Sequence, residues 1–140
     1  MRLFYAITLP DPVTEALSEC ATHLGARSAK GRFTDRANFH LTLVFLGEVP
    51  PDRLDAADAA MRSVDGAPFA LSISGLDCCA RGTRGIWWVG VEPSAALIRL
   101  QDHLAQAVRL AGFPLADQPY RPHLTLGRDI LLKPGADPRP

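Results

Sequence analysis

The sequence predicts an α+β fold in which helices pack outside a mixed or antiparallel sheet. Segments with strand-type alternation and segments with helical spacing interleave along the 140 residues, in the order strand, helix, strand, helix, two strands, helix, strand. No G-x-G-x-x-G or Walker-type loop occurs, so nucleotide-binding α/β folds of those types are unsupported. The length suits one compact domain with its own core.

The first predicted elements are a strand and an amphipathic helix. Arg2–Leu9 is rich in aromatic and β-branched residues and stops at a proline, which predicts a strand. Asp11 is placed to cap a helix and Pro12 suits its first position, and apolar residues then recur at steps of three and four up to Gly25. The polar stretch 26–38, which contains four basic residues, is interpreted as a solvated loop.

The middle of the chain holds three predicted strands and a second helix. Phe39–Leu46 predicts a strand, and 50–66 predicts a helix with a thin apolar face that ends at a glycine. Phe69–Ser74 alternates apolar and small polar residues, and Gly85–Val91 is predicted to be its neighbour in the sheet. The intervening residues 79–85 are interpreted as a turn.

A third helix and a last strand complete the predicted fold. Ser94 follows a proline and precedes an apolar stripe that stops at Gly112, which predicts the clearest helix of the chain. Arg121–Arg128 predicts the final strand. We therefore expect a single domain over residues 1–128 and an extended, proline-containing tail over residues 129–140.

The composition predicts a soluble protein of the cytoplasm. The 15 Lys and Arg cancel the 15 Asp and Glu, which argues against a broad basic surface for duplex nucleic acid, so any nucleic acid would be bound locally. Cys20, Cys78 and Cys79 form neither a disulfide framework nor a Cys-x-x-Cys pair, which favours a reducing compartment. The apolar start is interrupted at Asp11 before it could serve as a signal peptide, and no apolar run suggests a membrane span.

One short sequence, His-Leu-Thr-Leu, occurs twice, starting at His40 and again at His123. Both copies fall in predicted strands, where alternate side chains share a face, so each histidine projects beside Thr42 or Thr125 while the leucines point into the core. Two imidazoles can supply a proton acceptor and a proton donor near neutral pH. If the two strands are neighbours, the repeat predicts acid–base chemistry on an anion held by the hydroxyls.

Alternative interpretations exist for each histidine. A single His-x-Thr is more often a solvent-facing polar pair, but a duplication in a chain with four histidines favours a shared site. The other two histidines, His23 and His103, are interpreted as surface residues of helices. A metal site is the rival use of His40 and His123, but tetrahedral zinc needs a third protein ligand that no obvious cluster supplies, so we expect no metal.

The sequence resembles a known family through these motifs and their surroundings. The paired His-x-Thr-x motifs, the opening Arg2–Pro10, and the blocks Asn38–Gly47 and Pro122–Arg128 resemble the two-histidine (2H) phosphoesterases. Among these, the sequence is most similar to the bacterial and archaeal RNA 2′,3′-cyclic phosphodiesterases, also called 2′-5′ RNA ligase-like proteins. The resemblance implies two pseudo-symmetric lobes, each an antiparallel sheet with helices outside, which line a central cleft with one motif per lobe.

The resemblance also implies an activity. The enzyme would open a 2′,3′-cyclic phosphate, at an RNA end or in a small cyclic nucleotide, to a 2′-phosphate without metal or cofactor. By analogy, His40 would protonate the departing 3′ oxygen and His123 would activate the water. Thr42 and Thr125 would hold the non-bridging phosphate oxygens, and Arg128 would add positive charge.

The sequence allows two interpretations each for Arg128, Tyr5 and the pair Arg81 and Arg84. Strict alternation would turn Arg128 towards the leucine face, so Gly127 would have to end the strand or bulge it. Tyr5 stands where the family has an aromatic that can contact the base, with a place in the strand's core as the alternative. Arg81 and Arg84 could reach an RNA strand, with an exposed hairpin tip as the alternative.

The end of the chain departs from the family. Relatives continue beyond the second motif with at least one more strand. We therefore expect either that the lobe is completed differently or that the edge of the first strand stays open or pairs with another chain. A monomer is expected, with a dimer as the alternative. The turn after Cys78 also lacks the Gly-aromatic-Pro motif that is usual in the family. A non-catalytic module that binds RNA ends or nucleotides therefore stays as an alternative function. A 2′-5′ RNA ligase is a further alternative, because that reaction belongs to the same family.

Overall fold

The structure, a computed structural model, describes residues 1–81 and 84–137, without the side chains of residues 80 and 81. Residues 82 and 83 of the predicted turn and 138–140 of the predicted tail lie outside the described residues. Within the described ranges the elements are β1 (Arg2–Thr8), α1 (Asp11–Ala26), β2 (Ser28–Phe33), β3 (His40–Glu48), α2 (Leu54–Arg62), β4 (Ile73–Arg81), β5 (Arg84–Val91), α3 (Ala95–Leu110) and β6 (His123–Leu132).

The strands form two sheets. One sheet pairs β1 with β3, and the other has the order β2-β6-β5-β4. Every neighbouring pair of the second sheet is antiparallel. In the first sheet, the N–H of Val49 donates to the carbonyl oxygen of Met1 at 2.8 Å, which joins the end of β3 to the start of β1 and makes this pair antiparallel too. The predicted α+β class with antiparallel sheets is confirmed.

The chain divides into two compact units. Unit 1 contains most of β1 and β3 together with α2 and α3, and unit 2 contains α1 and the four-stranded sheet. The boundary passes through β3, between Leu41 and Thr42. The domain limits expected from the sequence, residues 1–128, stay a prediction. Among the described residues, no helix is long and apolar enough to cross a membrane.

Each unit has its own apolar core. In unit 1, α3 buries Leu97, Leu104 and Val108, as its predicted stripe requires. The Ser94 hydroxyl accepts a hydrogen bond from the N–H of Leu97 at 3.2 Å, which caps this helix where the sequence predicted its start. In unit 2, α1 packs against β2 and β6 and buries Leu17 and Leu24.

The predicted loop over residues 26–38 is wrong in part, because residues 28–33 form the strand β2. Within the described part of the chain, this strand lies at the edge of its sheet and pairs only with β6. Four of its six residues are exposed, so it lacks the apolar alternation that reveals a strand in a sequence. Backbone hydrogen bonds to β6, which the local sequence cannot signal, place these residues in the sheet.

Other element boundaries differ from the sequence predictions. The strand expected at Phe69–Ser74 instead begins at Ile73, because residues from Ile73 onwards find partners in β5. The last strand continues past Arg128 to Leu132 through its pairing with β2. Asp11 is the first residue of α1 rather than its cap, a position that Pro10 occupies.

Candidate active site

The first motif occupies the start of β3. Leu41 and Leu43 are buried, with 0% and 7% of their surface exposed. His40 and Thr42 alternate with them and are only half-buried. The strand therefore presents one imidazole and one hydroxyl on its more accessible side, as the alternation predicted.

Side chains of unit 1 hold the backbone of this motif. The Tyr120 hydroxyl donates a hydrogen bond to the carbonyl oxygen of Thr42 at 2.7 Å, and the Gln101 side-chain amide donates to the carbonyl of Leu43 at 3.3 Å. Burial raises the pKa of Tyr120 to about 12. Its hydroxyl therefore keeps its proton and stays a donor to Thr42 at neutral pH.

The second motif begins β6. Leu124 and Leu126 are 1% and 0% exposed, while His123 is exposed and Thr125 is half-buried. The segment after β2 supports this motif, because the Thr34 hydroxyl donates to the carbonyl of Thr125 at 3.0 Å and the Thr34 N–H donates to the carbonyl of Leu126 at 2.9 Å. Both copies of the repeat thus present their side chains in the predicted way.

A tryptophan that the sequence reasoning missed lies beside the second motif. Trp88 is paired with Thr125 across β5 and β6, and its ring centroid lies 5.8 Å from that of His123, with the planes tilted by 59°. Trp88 is half-buried, whereas Trp87 is 4% exposed in the core. Alternation along Gly85–Val91 could have found it, because neighbouring tryptophans in a strand must face opposite sides.

A β-bulge at Gly127 decides where Arg128 lies. Trp88 pairs with Thr125 but Trp87 pairs with Gly127, so β6 carries one extra residue against β5. Gly127 is buried and Arg128 is exposed. Of the two expectations for Gly127, the bulge is confirmed, since the strand continues beyond this residue. The bulge keeps the side chain of Arg128 away from the face that carries the leucines.

Tyr5 lies in the core of unit 1. Only 9% of its surface is exposed, and its hydroxyl donates to the carbonyl oxygen of Ala57 in α2 at 2.6 Å. Burial, followed by the nearby Asp58 carboxylate, raises the pKa of Tyr5. These are the surroundings of a core tyrosine, and a contact between Tyr5 and a base stays a prediction.

Most of the predicted site residues belong to one unit. Those in unit 2 are His40, His123, Thr125 and Arg128. Thr42 and Tyr5 belong to unit 1. Over residues 1–81 and 84–137, no group of three or more His, Cys, Asp or Glu side chains is arranged to hold a metal ion.

Comparison with known proteins gives similar sequences along almost the whole chain. The family model described as the 2′-5′ RNA ligase superfamily matches residues 9–137. The RNA 2′,3′-cyclic phosphodiesterase of Geobacillus stearothermophilus is 32% identical over 128 residues, which are 89% of this chain and 41% of that relative. The protein of the same name from Archaeoglobus fulgidus is 30% identical over 129 residues, 91% of this chain and 72% of the relative. This chain therefore spans less than half of the Geobacillus protein.

A solved structure shares the fold. The crystal structure of Escherichia coli LigT complexed with 3′-AMP is 32% identical to this chain, with a TM-score of 0.76 over 99% of this chain and 78% of that one. An α+β fold with two strand-borne His-x-Thr motifs is that of the two-histidine phosphoesterases. Within that class, the chain belongs to the 2′-5′ RNA ligase superfamily. The resemblance seen in the sequence is confirmed.

Proposed function

We propose that this protein hydrolyses 2′,3′-cyclic phosphates, at RNA ends or in small cyclic nucleotides, to 2′-phosphates. The duplicated motif carries the proposal, because each copy presents a histidine and a threonine on the accessible side of a strand while its leucines are buried. The relatives named RNA 2′,3′-cyclic phosphodiesterase and the Escherichia coli structure with 3′-AMP support a nucleotide phosphate as substrate.

The proposed reaction uses one imidazole as a base and the other as an acid. His123 takes a proton from water as the water oxygen bonds to phosphorus, and the bond between phosphorus and the 3′ oxygen breaks. His40 gives its proton to that oxygen, so the products are a 2′-phosphate and a 3′ hydroxyl. Imidazole suits both roles because it accepts and donates protons near neutral pH.

The remaining polar groups are proposed to stabilise the charge on the phosphate. The hydroxyls of Thr42 and Thr125 donate hydrogen bonds to the non-bridging oxygens, and the exposed guanidinium of Arg128 adds positive charge. Trp88 limits the orientations of the His123 ring through its contact with it. Contact of Tyr5 with the base completes the proposed site residues, and the reaction needs neither a cofactor nor a metal.

We further propose that the protein acts in the cytoplasm as a monomer. Cys20, Cys78 and Cys79 all lie in the described part of the chain and form no disulfide there, as is usual in a reducing compartment.

The test is hydrolysis of a 2′,3′-cyclic mononucleotide, and of an RNA that ends in a cyclic phosphate, in the presence of a chelator. We expect His40→Ala and His123→Ala each to lower kcat by at least about a hundredfold, since general acid–base catalysis contributes about 10²–10⁴. The phosphate position in the product is identified by chromatography against 2′- and 3′-phosphate standards. His103→Ala, which removes an exposed histidine of α3, is the matched control.

Two results of this experiment would contradict the proposed function or the proposed roles of the two histidines. Full activity in both folded variants would overturn the proposed roles of the two histidines. Wild-type protein that binds a cyclic nucleotide yet never opens it, with or without divalent metal, would show a binding module instead.

A further inference from the structure

We propose that Arg32 and Arg128 form a subsite for a phosphodiester of the RNA strand that leads to the cyclic phosphate, with Asp129 holding Arg32 while RNA is absent. The inference rests on the proposed function, because it takes the cyclic phosphate to lie at the second motif of β6. It assigns a longer RNA strand, rather than a free cyclic nucleotide, as the preferred substrate.

Two like charges face each other where β2 meets β6. Arg32 is the direct cross-strand partner of Arg128 in the antiparallel register. Directly opposed side chains lie on the same face of a sheet, with their Cβ atoms about 5 Å apart, and like charges in such pairs are destabilising. The Arg32 side chain is 76% exposed, and Arg128 is exposed as well. An anion between them would relieve the repulsion.

The backbone is shaped to bring the two arginines together. A Cβ on Gly127 would lie 3.0 Å from the carbonyl oxygen of Arg32, so only glycine lets β2 approach β6 this closely here. Asp129 has a φ of 53° within a strand, the left-handed conformation that an aspartate tolerates better than most residues. That conformation accompanies the contact of its carboxylate with Arg32 at 2.5 Å.

The charges at this place are unbalanced. Two guanidiniums share one carboxylate, because Asp129 pairs with Arg32 and no carboxylate among residues 1–81 and 84–137 pairs with Arg128. The Arg32–Asp129 pair is largely exposed, and exposed ion pairs contribute little to stability. A phosphodiester can therefore take the place of Asp129, and the guanidinium fork matches phosphate oxygens.

The subsite continues the proposed active site along β6. His123, Thr125 and Arg128 follow one another on this strand while Leu124 and Leu126 are buried. Arg32 lies one strand further, and neighbouring strands are about 4.8 Å apart. Arg128 thus lies between Thr125 and Arg32, so its guanidinium can contact the terminal phosphate and, together with Arg32, the phosphodiester of the preceding chain.

The test compares two substrates that share a terminal base: a short single-stranded RNA ending in a 2′,3′-cyclic phosphate and the corresponding cyclic mononucleotide. We expect Arg32→Gln to lower kcat/KM for the RNA about tenfold more than for the mononucleotide, the value of one charge-assisted hydrogen bond. Arg109→Gln is the matched control, because it removes an exposed arginine from α3. Arg109→Gln should change kcat/KM for the RNA and for the mononucleotide by the same factor.

A second variant separates binding from structure. Asp129→Asn removes the competing carboxylate, so we expect up to about fivefold tighter binding of RNA. If the Arg32–Asp129 ion pair were only structural, Asp129→Asn would not tighten RNA binding. Arg32→Gln and Asp129→Asn would then both lower the free energy of unfolding and would weaken the binding of RNA and mononucleotide by the same factor.

Binding keeps this test independent of the proposed function. The probes are a fluorescent RNA that ends in a 2′-phosphate and the matching nucleoside 2′-phosphate, neither of which needs turnover. If the wild-type protein opens no cyclic phosphate, the proposed function fails, while a loss of RNA preference in Arg32→Gln still supports the subsite. Equal effects of Arg32→Gln on RNA and mononucleotide binding would overturn the subsite.

Discussion

Tyr120 shows at the scale of single residues how a buried phenol supports the candidate site. Its hydroxyl donates to the carbonyl oxygen of Thr42, which fixes the backbone of the first motif. No local pattern in the sequence marks Tyr120 as a partner of Thr42, because the contact joins residues that are 78 positions apart.

The protonation of Tyr120 should make the stability of the protein depend on pH above 10. Its pKa is about 12 in the folded protein and about 10 in an unfolded chain. The folded state therefore keeps the proton more tightly, and the wild-type protein should lose stability as the pH rises from 10 to 12. The loss should be smaller than the roughly 3 kcal/mol that two pH units give for a fully buried group, because Tyr120 is partly exposed to solvent. We expect Tyr120→Phe to lack this loss, which urea unfolding at several pH values would measure.

At neutral pH, Tyr120→Phe should be less stable than the wild-type protein. Tyr120→Phe removes one hydrogen bond and leaves the Thr42 carbonyl without this donor, so it should unfold about 1 kcal/mol more easily than the wild type. Identical pH dependence in the two proteins would contradict the link between Tyr120 and stability.

The strand β6 is the element that organises the candidate site. It carries the second motif, pairs with both β5 and β2, and bulges at Gly127. The bulge turns Arg128 away from the leucine face. The same glycine leaves room for the backbone of β2 at Arg32.

Gly127→Ala should therefore destabilise the protein. The added Cβ would lie 2.8 Å from Cδ1 of Ile130 and 3.0 Å from the backbone oxygen of Arg32, and the backbone has to shift to make room. Overpacking of this kind costs about 1–3 kcal/mol, which denaturant unfolding would show. Gly75→Ala is the matched control, because a Cβ on Gly75 in β4 meets nothing within 4 Å. A Gly127→Ala protein as stable as the wild type would contradict the tight approach of β2 to β6.

The net charge of the whole molecule limits how it can bind RNA. Its charges sum to zero, so binding cannot depend on a broad basic surface. The two proposed phosphate contacts instead use individual arginines on β2 and β6.

The salt dependence of RNA binding should accordingly be shallow. Each phosphate contact on a single strand contributes about −0.7 to the slope of log K against log salt concentration, so two contacts predict a slope of about −1.4. Fluorescence anisotropy with a single-stranded RNA that ends in a 2′-phosphate would measure it. Arg32→Gln should make the slope shallower by about 0.7. A wild-type slope steeper than about −4 would contradict local recognition.

The sequence by itself determined the strands that carry the motifs and the side of each strand on which His40, Thr42, His123 and Thr125 lie. Alternation with a period of two is a local property, and buried leucines between more accessible polar residues express it directly. The family resemblance rested on the same residues. The capped start of α3 was equally local, since Ser94 and the following stripe are close in the chain.

Only the tertiary structure decided that residues 28–33 form a strand, that Trp88 contacts His123, and that Arg32 faces Arg128. The polar sequence of β2 carries no apolar pattern, and its place in the sheet comes from backbone hydrogen bonds to β6, about a hundred residues away in the chain. Register between distant strands depends on which backbone groups meet, and side-chain patterns within one segment do not record it.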